Sequence, residues 1–183
     1  CALPICDVNF RSKGIFDNGV KFFTNYSDLI KESLDILFVC LPNFLAAEVT
    51  IAGLHGNLHV FCEKPPGKSS ADVEMARRLE AENPALKLMY GFNHRHHESI
   101  KYMKNMIDSN EFGNVIWMRG RYGKSVDEPF LDTWRAKKDL AGGGILLDQG
   151  IDYSKVSILH HSFYIQIPIQ KNLCYTLDRQ KGG

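Results

Sequence analysis

No stretch of the 183 residues stays apolar for the roughly 20 positions that a membrane-crossing helix needs. The opening residues likewise lack the basic stretch and apolar run of a secretory leader. Neither sign of charge is in excess: 22 Lys plus Arg face 21 Asp plus Glu, a formal net charge of +1. Without a basic block there is no electrostatic case for nucleic acid or a membrane as partner. Cysteine is scarce. Cys1, Cys6, Cys40, Cys62 and Cys174 are odd in number and contain no CxxC pair, which argues against a disulfide framework and a structural zinc site. Cys40 and Cys62 lie inside apolar runs and read as buried small hydrophobes, in a protein of the reducing cytoplasm. Repeats and low-complexity tracts are missing too. What remains is 44% hydrophobic and 23% charged, the composition of an ordinary globular chain.

Apolar patterning then predicts alternating elements. Ala2 to Cys6 reads as a strand. Asp35 to Leu41 is a second, stopped by Pro42-Asn43, and its unbroken apolar character predicts burial on both faces. Phe44 to Leu54 has helical spacing and ends at Gly56-Asn57. His59 to Cys62 is another buried strand, and Ser69-Ser70 caps a helix from Ala71 to Glu82 that Asn83-Pro84 ends. Leu86 to Tyr90 closes the series. Strand, helix, strand, helix, strand with short turns is the pattern of βαβ units in a parallel sheet. Ligands of such sheets sit at the carboxyl ends of the strands. Those ends carry Pro42-Asn43, Glu63-Lys64-Pro65 and Asn93.

Past Asn93 the pattern changes. Glu98 to Ser109 predicts a helix with Ile100, Met103, Met106 and Ile107 on one side, and Val115 to Tyr122 a strand. Trp134-Arg135 falls in a polar loop, and Ala141-Gly142-Gly143-Gly144 leads into a helix from Ile145 to Asp152. Ser162 to Pro168 reads as a short edge strand.

Three constellations bear chemistry. A lysine at a parallel-strand end, Lys64, can present its ammonium to a hydroxyl or carbonyl oxygen and stabilise negative charge there; a solvated turn is the competing reading of that triplet. Asp148 and Asp152, four apart, share a helix face, where like charges make one carboxylate a better proton acceptor; a wet helix face is the alternative. His94-Arg95-His96-His97 has no Cys or carboxylate at ligand spacing, so no metal is expected and Arg95 is the stronger ligand contact.

Taken in order, Phe38-Val39-Cys40-Leu41-Pro42-Asn43, His59-Val60-Phe61-Cys62-Glu63-Lys64-Pro65, Gly91-Phe92-Asn93, Trp134-Arg135 and Ala141 to Gly150 resemble one family. It is the glucose–fructose oxidoreductase/inositol dehydrogenase (Gfo/Idh/MocA) family, and the resemblance covers about residues 6 to 151. It implies an α/β chain: a partial Rossmann-type parallel sheet over 1–92, then the start of an α+β catalytic domain over 93–152. Residues 153–183 form a divergent tail. It also implies a dehydrogenase using NAD or NADP on a small-molecule sugar, cyclitol or derivative, and a possible homo-oligomer of the complete protein. Lys64, Asp148 and Asp152 are the implied catalytic residues. Asp7, Leu41, Pro42, Asn43, Glu63, Lys64, Trp134 and Arg135 would bind cofactor, with Asn93 and Arg95 toward substrate. An acid at Asp7 would repel a 2′-phosphate and so favours NAD.

The chain also departs from that family. It opens on Cys1, and the glycine-rich phosphate turn expected about 20 residues before Asp7 would precede it, so a fragment is expected. Ala46 and Asp152 stand where the family often has histidine. These departures favour the alternative of a non-catalytic ligand-binding or interaction protein that keeps the scaffold.

Overall fold

A computed structural model describes residues 4–7, 19–114, 116, 119–121, 128–148, 150–151 and 164–166. The chain divides into two units, Cys1–Gly91 and Phe92–Gly183.

In the first unit, β1 (Ile5–Cys6) pairs in parallel with β2 (Phe22–Phe23), and α1 (Tyr26–Ile30) follows, capped by the Asn25 side chain. Neither β2 nor α1 is legible in the sequence pattern, because two and five residues are too short to show a period. Next come β3 (Ile36–Val39), α2 (Asn43–His55), β4 (His59–Cys62), α3 (Ser70–Glu82) and β5 (Leu88–Tyr90). The three strands form one parallel sheet in the order β3-β4-β5, as the alternation predicts.

Ser69 caps α3 through a reciprocal box in which its hydroxyl accepts from Asp72 N–H at 3.4 Å. At the far end of this helix, Glu80 Oε1 accepts Leu88 N–H at 2.9 Å and so ties α3 to the edge strand.

The core is built where α2 packs on β3 and β4 and against α3. Leu37, Val39, Ala46, Val49, Leu54, Val60, Cys62 and Ala76 are all buried there. Gly53 lets helix and sheet approach closely: a Cβ on it would lie 2.8 Å from Leu37 Cδ2 and 3.0 Å from Val60 Cγ2.

Two expectations fail in this region. The strand β3 is buried on one face only, since Ile36 is 50% and Phe38 62% exposed while Leu37 and Val39 are buried. Burial alternates because α2 covers a single face; on the other, Phe38 meets Phe61 with ring centroids 5.6 Å apart, beside Met89 in register. Cys40, one residue past the strand, is exposed rather than buried, and only Cys62 behaves as the small hydrophobe expected. Burial pushes the Cys62 thiol up in pKa, against a smaller downward pull from the Thr50 hydroxyl.

The second unit contains α4 (Glu98–Asp108), whose Ile100, Met103, Met106 and Ile107 are all half-buried, as their spacing predicts. The strand expected over Val115 to Tyr122 is described as β6 (Arg119–Arg121), parallel to β7 (Tyr164–Gln166). Two short helices, α5 (Lys138–Ala141) and α6 (Gly144–Asp148), meet at Gly142 and Gly144, which have φ of +86° and +57°. Among the described residues no helix is long and apolar enough to cross a membrane.

Candidate active site

Parallel register places the exits of three strands side by side. Val39 pairs with Cys62, and Cys62 with Tyr90, so Cys40 to Asn43, Glu63 to Pro65, and Gly91 share one rim of the sheet. Backbone bonds extend the ladder to that rim: Glu63 N–H donates to Val39 O, and Gly91 N–H to Cys62 O, both at 2.9 Å. Leu41 is exposed, Pro42 half-buried and Asn43 buried as the first residue of α2. The helix starts without a side-chain hydrogen bond capping it. Its amino-terminal end, where the helix dipole is positive, therefore faces this rim.

Lys64 is half-buried and leaves the central strand β4 on a turn. Its bond to Pro65 is cis, and Pro65, Pro66 and Gly67 are buried. Asp72 then gathers the chain with one carboxylate oxygen, which accepts Lys68 N–H at 2.9 Å and Ser69 N–H at 3.0 Å. The turn that carries the lysine is thus clamped at both ends. The clamp at Asp72 escapes the sequence-based site prediction, although the Ser-x-x-Asp spacing of a capping box signals it. Glu63 is exposed, and its Oε2 accepts Lys64 N–H at 3.1 Å.

The other predicted positions lie elsewhere. Asp7 ends β1, is half-buried, and donates its N–H to Phe23 O at 3.0 Å. Its charge, after burial, helps raise the pKa of Cys6. In the second unit, Asn93 and Arg95 belong to an exposed 3-10 turn, Asn93–His96, with the Arg95 guanidinium 5.5 Å from the Phe92 ring centre. His94 and His97 stack with centroids 5.1 Å apart, and no metal-binding group of three ligands occurs among the described residues.

Trp134 and Arg135 form a 3-10 turn, Trp134–Ala136, rather than a loop, closed by Lys137 N–H donating to Trp134 O at 3.2 Å, with the Arg135 guanidinium 4.5 Å from its neighbour's ring centre. Asp148 is half-buried at the end of α6. Asp152 lies outside the described residues, so the paired carboxylate face expected with Asp148 does too. Ala46, with no exposure, sits in the core.

A parallel sheet with helix-linked strands and a polar rim at their carboxyl ends defines a Rossmann-type α/β protein. Residues 5–92 match the oxidoreductase-family NAD-binding Rossmann fold, and residues 100–153 match the Gfo/Idh/MocA C-terminal domain. The chain is 30% identical over 139 residues to the inositol 2-dehydrogenase of Salmonella typhimurium, covering 73% of this chain and 41% of that protein. It is 32% identical over 123 residues to the glucose-6-phosphate 3-dehydrogenase of Bacillus subtilis, covering 66% and 35%. Among solved structures, the myo-inositol 2-dehydrogenase of Lactobacillus plantarum superposes with a TM-score of 0.72 at 28% identity, over 85% of this chain and 46% of that one. This chain belongs to the Gfo/Idh/MocA family of oxidoreductases. It spans less than half the length of the relatives it matches.

Proposed function

We propose that the protein is an NAD(P)-dependent dehydrogenase acting on a hydroxyl or keto carbon of a sugar, cyclitol or sugar derivative. The observation that carries this reading is the clamped Glu63-Lys64-Pro65 turn at the end of the central strand, flanked by Pro42–Asn43 and Gly91. The rim suits a dinucleotide: the amino-terminal end of α2 brings a favourable dipole to it, and Leu41 offers an exposed apolar contact. When bound, that cofactor supplies the hydride-accepting ring.

Within this reading Lys64 holds its ammonium against the reacting oxygen and stabilises the charge that develops there. Asp148 and position 152 take up and return the hydroxyl proton. Trp134 and Arg135 contact cofactor, and Asn93 and Arg95 orient substrate. Residues 1–92 form the cofactor-binding part, 93–152 the start of the substrate part, and 153–183 a tail of unassigned role. Asp7 repels a 2′-phosphate, so NAD is preferred over NADP. Its free thiols Cys6, Cys40 and Cys62 suit a reducing compartment such as the cytoplasm.

The test is reduction of NAD and NADP, followed by absorbance, with a panel of inositols, hexoses and hexose phosphates. Turnover with at least one polyol, lowered on the order of 100-fold or more by Lys64→Ala, is expected. Binding of dinucleotide with no turnover of any substrate would make the protein a non-catalytic binding module instead.

A further inference from the structure

The Glu63 side chain, though exposed, brings its carboxylate across the end of the neighbouring strand. A Cβ placed on Gly91 would be 2.9 Å from Glu63 Cδ, Oε1 and Oε2 alike. That position lies over the face of the carboxylate, so the Glu63 side chain fills the space that a side chain at position 91 would take. Carbon atoms in ordinary contact keep about 3.5 Å or more apart, so no side chain fits between them. Neither backbone can retreat, because Glu63 N–H and Gly91 N–H are both held in the strand ladder at 2.9 Å. From this seat Glu63 Oε2 accepts Lys64 N–H at 3.1 Å.

We propose that Gly91 is a positioning residue: its bare backbone is the seat that keeps the Glu63 carboxylate on Lys64 N–H, and so sets how the turn presents the lysine. A side chain at position 91 would push the carboxylate, the only mobile partner, off that amide. The kinetic part of this proposal rests on the dehydrogenase reading; the geometric part does not.

The experiment compares Gly91→Ala, Glu63→Ala and the double variant, each first checked for a native-like thermal transition. Hydrogen exchange at the Lys64 amide should quicken about fivefold in either single variant, the effect of losing one ordinary hydrogen bond. The double variant should exchange no faster than the singles, since both remove the same contact. Glu63→Gln keeps the shape and an acceptor, so Gly91→Ala should still quicken exchange in that background.

In turnover assays, Gly91→Ala should raise the KM for dinucleotide by the same factor as Glu63→Ala, with no further rise in the double variant. Unchanged Lys64 exchange in Gly91→Ala, or additive effects in the double variant, overturns the proposal. Coupled exchange with an unmoved KM in all variants upholds the seat and refutes instead the placing of Glu63 on the cofactor.

Discussion

Gly53→Ala tests how the site's scaffold is packed. The residue lies inside α2, where alanine is favoured over glycine by about 0.8–1.0 kcal/mol of helix propensity. Propensity alone therefore predicts a more stable protein. The structure predicts the opposite sign. The new methyl would lie 2.8 Å from Leu37 Cδ2 and 3.0 Å from Val60 Cγ2, both on buried side chains paired across β3 and β4. Relieving such contacts needs shifts of about 0.5–1 Å in a close-packed core, and overpacking of this kind costs about 1–3 kcal/mol. The balance is a loss of about 1 kcal/mol, or about 2–4 °C in Tm for a chain of this size. Denaturant and thermal unfolding of the two proteins measure it directly. Adding Leu37→Ala removes the methyl that is struck, so the double variant should lose less than the sum of the singles by on the order of 1 kcal/mol. A Gly53→Ala protein more stable than the parent, or strictly additive losses, would refute the close helix–sheet approach.

The remaining predictions concern charge and catalysis. Glu74 is held at a pKa of about 2 by hydrogen bonds from Arg77 and then Arg78, so its contribution to stability is present above its ordinary 4.5 and disappears as pH falls toward 2. Because the cluster is solvent-exposed the effect should be small and shrink with salt, and Glu74→Gln should flatten the acid limb of an unfolding profile. Burial, with smaller help from Cys62 and Glu80, pushes the Tyr90 phenol up to about 12. The fold thus favours its neutral form, and that stability is intact below pH 10 and lost between 10 and 12. Tyr90→Phe should remove this share of the alkaline loss, read from unfolding curves at stepped pH. On the proposed reading, Asp152→His should raise turnover on the order of 100-fold in a protein completed with the family segments at both ends, since an imidazole of ordinary pKa near 6.5 exchanges protons at neutrality better than a carboxylate near 4. Equal rates from pH 6 to 9 would show that position 152 is not the base.

What the sequence determined by itself is the succession of elements in the first unit. Apolar runs, Pro42-Asn43, the Ser69 cap and the Asn83-Pro84 stop are local signals, and β3, α2, β4, α3 and β5 fall where they point. The rim was legible for the same reason, because strand ends of a parallel sheet must lie together once the strands are known. Burial was not legible. Ile36, Phe38 and Cys40 belong to an apolar run, yet whether such residues are covered depends on what packs across the sheet, which a one-dimensional pattern does not contain. Nor was the seat of Glu63 on Gly91. Register and loop closure bring those partners together, and only the folded chain decides distances between residues far apart in sequence.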